Sequence, residues 1–149
     1  MKISSLICGA LILSSLVLGT EVHAATLLRG QNVFAASNTI RVARNMRSLS
    51  PNAALVRAAQ LKADDMMARN YFSHRSPEGW NAFHWVNISK GTQVVVGENL
   101  AKSFSSVESL ENAWLNSPTH RAILLDPSWK ETGVGISKDG KYVVQYFGR

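Results

Sequence analysis

Three short segments hold the residues that could do chemistry. They are Tyr71-Phe72-Ser73-His74-Arg75-Ser76-Pro77-Glu78-Gly79, Gly97-Glu98-Asn99-Leu100-Ala101 and Trp114-Leu115-Asn116-Ser117-Pro118-Thr119-His120-Arg121. Each places a histidine or a carboxylate at the boundary of an element, where side chains converge on clefts. Two imidazoles, His74 and His120, and one carboxylate, Glu98, form a donor set for one zinc-like divalent cation, with a position left open for water. The same trio also suits a hydrogen-bonded structural network. Spacing along the chain does not choose between the two.

Other polar groups have plainer roles. His84 sits between Phe83 and Trp85 and reads as packing or surface. Glu78 follows Ser76-Pro77 by one position and reads as a carboxylate beside a helix start rather than a catalytic group. Glu131 is the one loose candidate for a general base. Ser73 and Ser76 flank His74, but serines beside a histidine are commoner as caps, and no Gly-x-Ser-x-Gly elbow occurs. Trp80, Trp85, Trp114 and Trp129 read as core or cleft wall.

The elements that must position these groups are readable in outline. Residues 31–48 read as a helix. Ser50-Pro51 reads as a cap and first helical position, followed by Leu55, Val56, Ala59, Ala63, Met66 and Met67 at helical spacing. Asp65 and Arg69 can pair across one turn. Ser76-Pro77 repeats the helix-start signal and predicts a short helix through Trp85. Val94-Val95-Val96 predicts a buried strand. Ser105 and Glu108 match a capping box for a helix carrying Val107, Leu110, Trp114 and Leu115 inward. Pro118 stops that helix, and the chain starts again at His120. Residues 134–137 and 142–147 predict strands joined by an Asp139-Gly140 turn. The fold class is α+β, with a small, mainly antiparallel three-stranded sheet between helices.

The chain has 149 residues, enough for one domain and a targeting segment. Lys2, an uncharged apolar run from Ile3 to Gly19 and Val22-His23-Ala24 have the layout of a cleaved secretory signal over 1–24. An uncleaved anchor is the alternative, since about 20 apolar residues span a bilayer. Residues 25–30 follow as a short extension and 31–149 as the domain. Cys8 is the single cysteine and leaves with the signal, so the mature chain has no disulfide and no thiol chemistry. A mature domain of about 125 residues can bury a core without disulfides.

The formal charge of +6 survives cleavage, because Lys2 and Glu21 leave together. A basic exported protein associates with anionic polymers or headgroups. Arg41, Arg44 and Arg47 at helical spacing read first as a solvated face. Nucleic acid is excluded as a partner: export removes it, and no stacking aromatics interleave the arginines. Secretion or the periplasm is the expected location, with no stable membrane anchor after cleavage.

The three segments, in this order, resemble the signature blocks of the CAP superfamily (SCP-like domain), most of all its bacterial secreted branch. Further blocks agree. Asn38 and Arg41 resemble the family's first-helix Asn-x-x-Arg, and Leu55 to Met66 its second helix. Gly133-Val134-Gly135 and Val144-Gln145-Tyr146-Phe147-Gly148 resemble its last two strands. The likeness covers about residues 31–149. It implies an α-β-α sandwich with an open central cleft, lined in similar proteins by two histidines and two glutamates able to hold a divalent cation. His74, Glu98 and His120 match three of these. Ser117 stands near the second glutamate's position, and Glu111, two turns earlier, cannot substitute in the same geometry. The resemblance implies a non-enzymatic envelope or extracellular binding module for a lipid, a cell-envelope polymer or a protein. A metal-dependent hydrolase using the same cleft is the alternative, and serine-dependent proteolysis a third reading.

Overall fold

The computed structural model describes residues 27–149. The signal expected over 1–24, Cys8 and the first two residues of the 25–30 extension lie outside them. Nine elements follow in order: α1 (Gly30–Val42), β1 (Ser50–Pro51), α2 (Ala53–Ala68), α3 (Ala82–Ile88), β2 (Val96–Lys102), α4 (Val107–Asn116), α5 (Pro118–Leu124), β3 (Glu131–Ile136) and β4 (Tyr142–Gly148). The sheet order is β1-β3-β4-β2, with β4 antiparallel to β2 and β3. The sheet therefore has four strands rather than three. The additional β1 is two residues long and runs parallel to β3, pairing Ser50 with Glu131 and Pro51 with Thr132.

Side chains alternate across β4, as the twofold period of a strand requires. Tyr142, Val144 and Tyr146 join Leu55, Ala58, Ala59, Ala63 and Met66 of α2 and Trp85 and Val86 of α3. Val143 joins Val33 of α1 with Leu110 and Trp114 of α4, and Phe147 joins Leu124 and Trp129. Helices thus cover both faces, giving the α-β-α sandwich. Helix α2 lies directly on β3 because that strand presents glycines to it. A Cβ on Gly133 would fall 2.2 Å from the Val56 nitrogen, and one on Gly135 2.2 Å from the Gln60 nitrogen.

Several local expectations are corrected. Ser50-Pro51 is strand β1, and α2 is capped by Asn52, whose side chain accepts from the Ala54 and Leu55 amides. Ser76-Pro77 opens a turn closed by the Gly79 and Trp80 backbones, not a helix; Asn81 caps α3 instead. Strand β2 starts at Val96, and Val94 is 77% exposed. The α4 cap is Ser106, one residue past the expected one, because its hydroxyl reaches the Ser109 amide. Helix α1 stops at Val42, so Arg47 lies beyond it. Helix α5 begins at Pro118, with Ser117 shared as the C-cap of α4 and the N-cap of α5.

Arg41 does not lie on a solvated face. It is fully buried, and its guanidinium donates to the carbonyls of Arg47 (3.1 Å), Leu124 (2.8 Å) and Asp126 (3.0 Å). Burial lowers its pKa, and nearby Asp126 opposes that shift. One turn away, Asn38 brackets Leu49, donating to its carbonyl and accepting from its amide. The family-like Asn-x-x-Arg pair thus fastens α1 to two loops.

Glu111 is buried at the α1–β4 contact, where it accepts from Ser37 at 2.6 Å. Ser37 also meets Gln145, whose amide reaches Thr132. Burial pushes the Glu111 carboxyl up to about 7, against the Ser37 bond that lowers it. A raised carboxyl pKa means the folded state holds a proton that the unfolded state has released. This contribution is complete below about pH 4.5 and is lost as pH rises to about 7. Between pH 5 and 8 the wild type should lose about 2 kcal/mol on this account. Urea denaturation at both pH values checks it, and Glu111→Gln should flatten the slope.

Candidate functional site

Strand β2 is a sheet edge, and the candidate cleft is built around it. Even-numbered residues of β2 face the α2–α3 side and odd-numbered ones face α5, since Glu98 pairs with Tyr146 and Asn99 with Gln145. Glu98 is buried on the α2 side, 7% exposed. His74 arrives from the loop after α2, and its Nδ1 lies 2.5 Å from Glu98 Oε1. His120 sits on α5, across the strand edge. Its Nδ1 pairs with Ser117 Oγ at 2.8 Å, and its carbonyl accepts from Asn99 at 3.0 Å.

The two histidines respond differently to this placement. The hydrogen bond that His74 donates to Glu98 raises the His74 pKa, against partial burial and the Lys62 charge. Stability from this pair is therefore full below about pH 6.5 and fades as pH rises through the higher folded value. Burial lowers the His120 pKa, and the charge on His74 lowers it further. Glu98 is committed to His74. Among the described residues no three His, Cys, Asp or Glu side chains gather closely enough to hold a metal ion.

The cleft beside this pair has a volume of about 410 Å³. Arg75 and Asn81 line it together with Ala82, Phe83, Val96 and Ile123. Asn81 is placed there by capping α3, and Arg75 by donating to the Gly79 carbonyl at 3.1 Å. Gly97 has no room for a side chain, since a Cβ would lie 2.6 Å from the Trp129 ring.

Behind Glu98 lies a layer that the sequence reading missed. Lys62 is fully buried, with Nζ 3.1 Å from Tyr71 Oη and 4.7 Å from the Tyr71 ring centroid. Tyr71 in turn donates to Asp65 at 2.5 Å. Burial lowers the Lys62 pKa, while Glu98 and Asp65 oppose that shift. Burial, then the nearby Glu98 charge, raises the Tyr146 phenol, although its hydroxyl makes no normal hydrogen bond. The available signal was Lys62 itself, a lysine on the apolar stripe of α2, spaced with Ala59 and Met66.

The remaining candidates fall outside the cleft chemistry. Glu131 accepts from Gln93 at 2.8 Å. Ser73 accepts from the Arg75 amide, and Ser76 bonds Glu78 and the Trp80 amide; neither is bonded to His74. Glu78 forms a two-pronged ion pair with Arg69 and is held at about 2, chiefly by that pairing. His84 stacks on Trp80 with centroids 4.1 Å apart.

Comparisons with known proteins agree with this architecture. Residues 34–147 match the family model described as CAP, the cysteine-rich secretory protein family. YkwD of Bacillus subtilis is 32% identical over 111 residues, covering 74% of this chain and 43% of YkwD. The membrane protein YlbC of the same organism is 31% identical over 74% of this chain and 32% of its own length. The chain thus spans less than half of these curated relatives. An extracellular SCP-domain protein from Bacillus anthracis superposes with a TM-score of 0.76 at 32% identity, over 80% of this chain and 40% of that one. An outer surface protein of Borrelia burgdorferi shares the fold, with a TM-score of 0.72 at 20% identity, over 80% and 90% of the respective chains.

Proposed function

The chain belongs to the CAP family, and from that premise we propose that it is an exported, non-enzymatic binding module whose ligand occupies the cleft beside His74 and Glu98. The observation that carries this reading is the composition of that cleft: apolar walls from Phe83, Ala82, Val96 and Ile123 beside the His74–Glu98 pair, with Arg75 and Asn81 as further polar groups in the lining. Such a surface suits recognition, with burial supplying affinity and a few polar groups fixing orientation. Turnover would need an activated nucleophile within reach of a base. The serines around His74 are engaged in turn hydrogen bonds with the Arg75 and Trp80 amides, and Glu131 is engaged by Gln93. Export accords with the extracellular relative from Bacillus anthracis. No helix among the described residues is long and apolar enough to cross a membrane.

A weakly held zinc-like cation is a second reading, favoured by one observation. Both imidazoles have Nδ1 engaged, and neither Nε2 has a hydrogen-bond partner among the described residues, as when outer partners orient metal-binding histidines. Glu98 would then orient His74 rather than coordinate. Two imidazoles alone would hold such an ion weakly, and no third ligand joins them among the described residues.

One set of measurements tests both readings. The 25–149 domain should co-sediment with an anionic envelope fraction, and Phe83→Asp should weaken this about tenfold while leaving the fold intact, because the side chain is 46% exposed. Fluorogenic casein and nitrophenyl esters should not be turned over, with or without added zinc. Turnover abolished by Glu98→Gln would overturn the binding reading. Zinc calorimetry at pH 7.5 and 5.5 should show weak heat only at the higher pH, where protons compete less for the imidazoles. No heat at either pH would remove the cation.

A further inference from the structure

The outer edge of β3 is filled on both sides of Val134 and open at Val134 itself. Even-numbered residues of β3 turn their backbone groups away from β4. Lys130 O, just before the strand, accepts from the Ser50 amide at 2.9 Å, and Thr132 O accepts from the Asn52 amide at 3.0 Å. At the far end the Gln60 carboxamide stands in for a strand. Its Nε2 donates to Ile136 O at 2.8 Å and its Oε1 accepts from the Ile136 amide at 3.3 Å. Between these, the Val134 N–H and C=O have no hydrogen-bond partner among the described residues. The cause is local. Asn52, which would continue the parallel ladder, is the N-cap of α2, and its carbonyl accepts from the Val56 amide at 3.0 Å instead.

This gap opens into a groove of about 460 Å³, walled by Phe34, Pro51 and Val56, with Gly30 and Gln31 at one end. A Cβ on Gly30 would stand 3.1 Å from Val134 O, so a side chain at this position would crowd that carbonyl. The groove lies on the sheet edge opposite β2, and so apart from the His74 cleft.

We propose that this groove binds a short extended peptide carrying an apolar side chain. The peptide's backbone amide completes the ladder at Val134, and its side chain rests on Phe34, Pro51 and Val56. The choice of occupant follows from the edge. The site is continuous with the β1–β3 ladder, and its two neighbouring positions are each already filled by an amide. An adjacent donor and acceptor call for a group that is both, which a peptide is and an acyl chain is not. Backbone bonds at a sheet edge then supply affinity, and the apolar walls select the side chain.

Amide-resolved NMR of the 25–149 domain tests this with acetyl-Ala-Val-Leu-Ala-amide as the probe. Millimolar peptide should shift the Val134, Gly30 and Phe34 amides. An analogue methylated on its backbone nitrogens should bind about fivefold more weakly or worse, the loss expected for one net hydrogen bond. Gly30→Leu should fill the groove and abolish the shifts. Val56→Lys should do the same at a side chain that is 42% exposed, so it remains informative if Gly30→Leu misfolds. The proposal is overturned by equal binding of the methylated analogue, by unchanged binding to Val56→Lys, or by no response to peptide. A response to decanoate alone would also overturn it, by making the groove an acyl-chain site.

Discussion

Gly135→Ala will lower the unfolding free energy by at least about 4 kcal/mol, among the largest effects a single methyl can have. The added Cβ would fall 2.2 Å from the Gln60 nitrogen, 2.3 Å from the Ala59 carbonyl carbon and 2.5 Å from the Gln60 Cα. All three are helix backbone, so no rotamer change relieves the overlap. Helix α2 must lift off β3 by more than 1 Å, which separates Leu55, Ala58, Ala59, Ala63 and Met66 from Val144 and Tyr146. A chemical denaturation midpoint measures the loss. A variant within about 1 kcal/mol of wild type would show that the helix can shift at little cost.

Arg41→Met should cost about 3 kcal/mol or more, because three buried carbonyls lose their donor at about 1–3 kcal/mol for each one left unsatisfied. The methionine fills most of the volume but leaves the Arg47, Leu124 and Asp126 carbonyls without their donor. Arg41→Lys should recover little, because one ammonium cannot reproduce the planar fork that reaches three carbonyls. Denaturation midpoints rank the variants. Amide exchange should quicken first in residues 43–49 and 124–128, the loops this guanidinium joins. Exchange that quickens uniformly instead would place the role of Arg41 in general packing rather than in loop anchoring.

Sandwich and cleft were legible in the sequence to the extent that local signals agreed with distant ones. The stripe of Leu55, Ala59, Ala63 and Met66 is helical by spacing and buried in the structure. The Asp139-Gly140 turn sits between two strands as its type requires, with Gly140 at φ +73°. The block resemblance singled out His74 and Glu98, which the structure pairs, whereas His120 is bonded to Ser117 instead. What was not legible depended on partners elsewhere in the chain. Ser50-Pro51 carries a helix-start signal, but Thr132 and Lys130 hold it as a strand. Val94 and Val95 have strand propensity, yet neither has a strand beside it, and each amide instead reaches the Arg149 carbonyl. Arg41 and Lys62 look solvated by type; three carbonyls and two aromatic rings make their burial tolerable. Glu98 reads as a metal ligand by residue type, while the 2.5 Å contact spends one of its oxygens on His74.

The strand order carries a consequence for how the domain is made. Strand β4 is the last of the described elements in sequence and sits between β3 and β2, so until residues 142–148 exist β2 has no pairing partner and β3 has only the two-residue β1. The bond from Ser37 to Gln145 spans 108 residues. Most of the sheet is therefore long-range contact, which forms late and slowly because distant segments must meet first. A chain emerging from its N-terminus can form α1 and α2 in passing, but it has no sheet on which to lay them. Such a polypeptide keeps its sheet unformed during synthesis, and the sandwich closes only when β4 arrives.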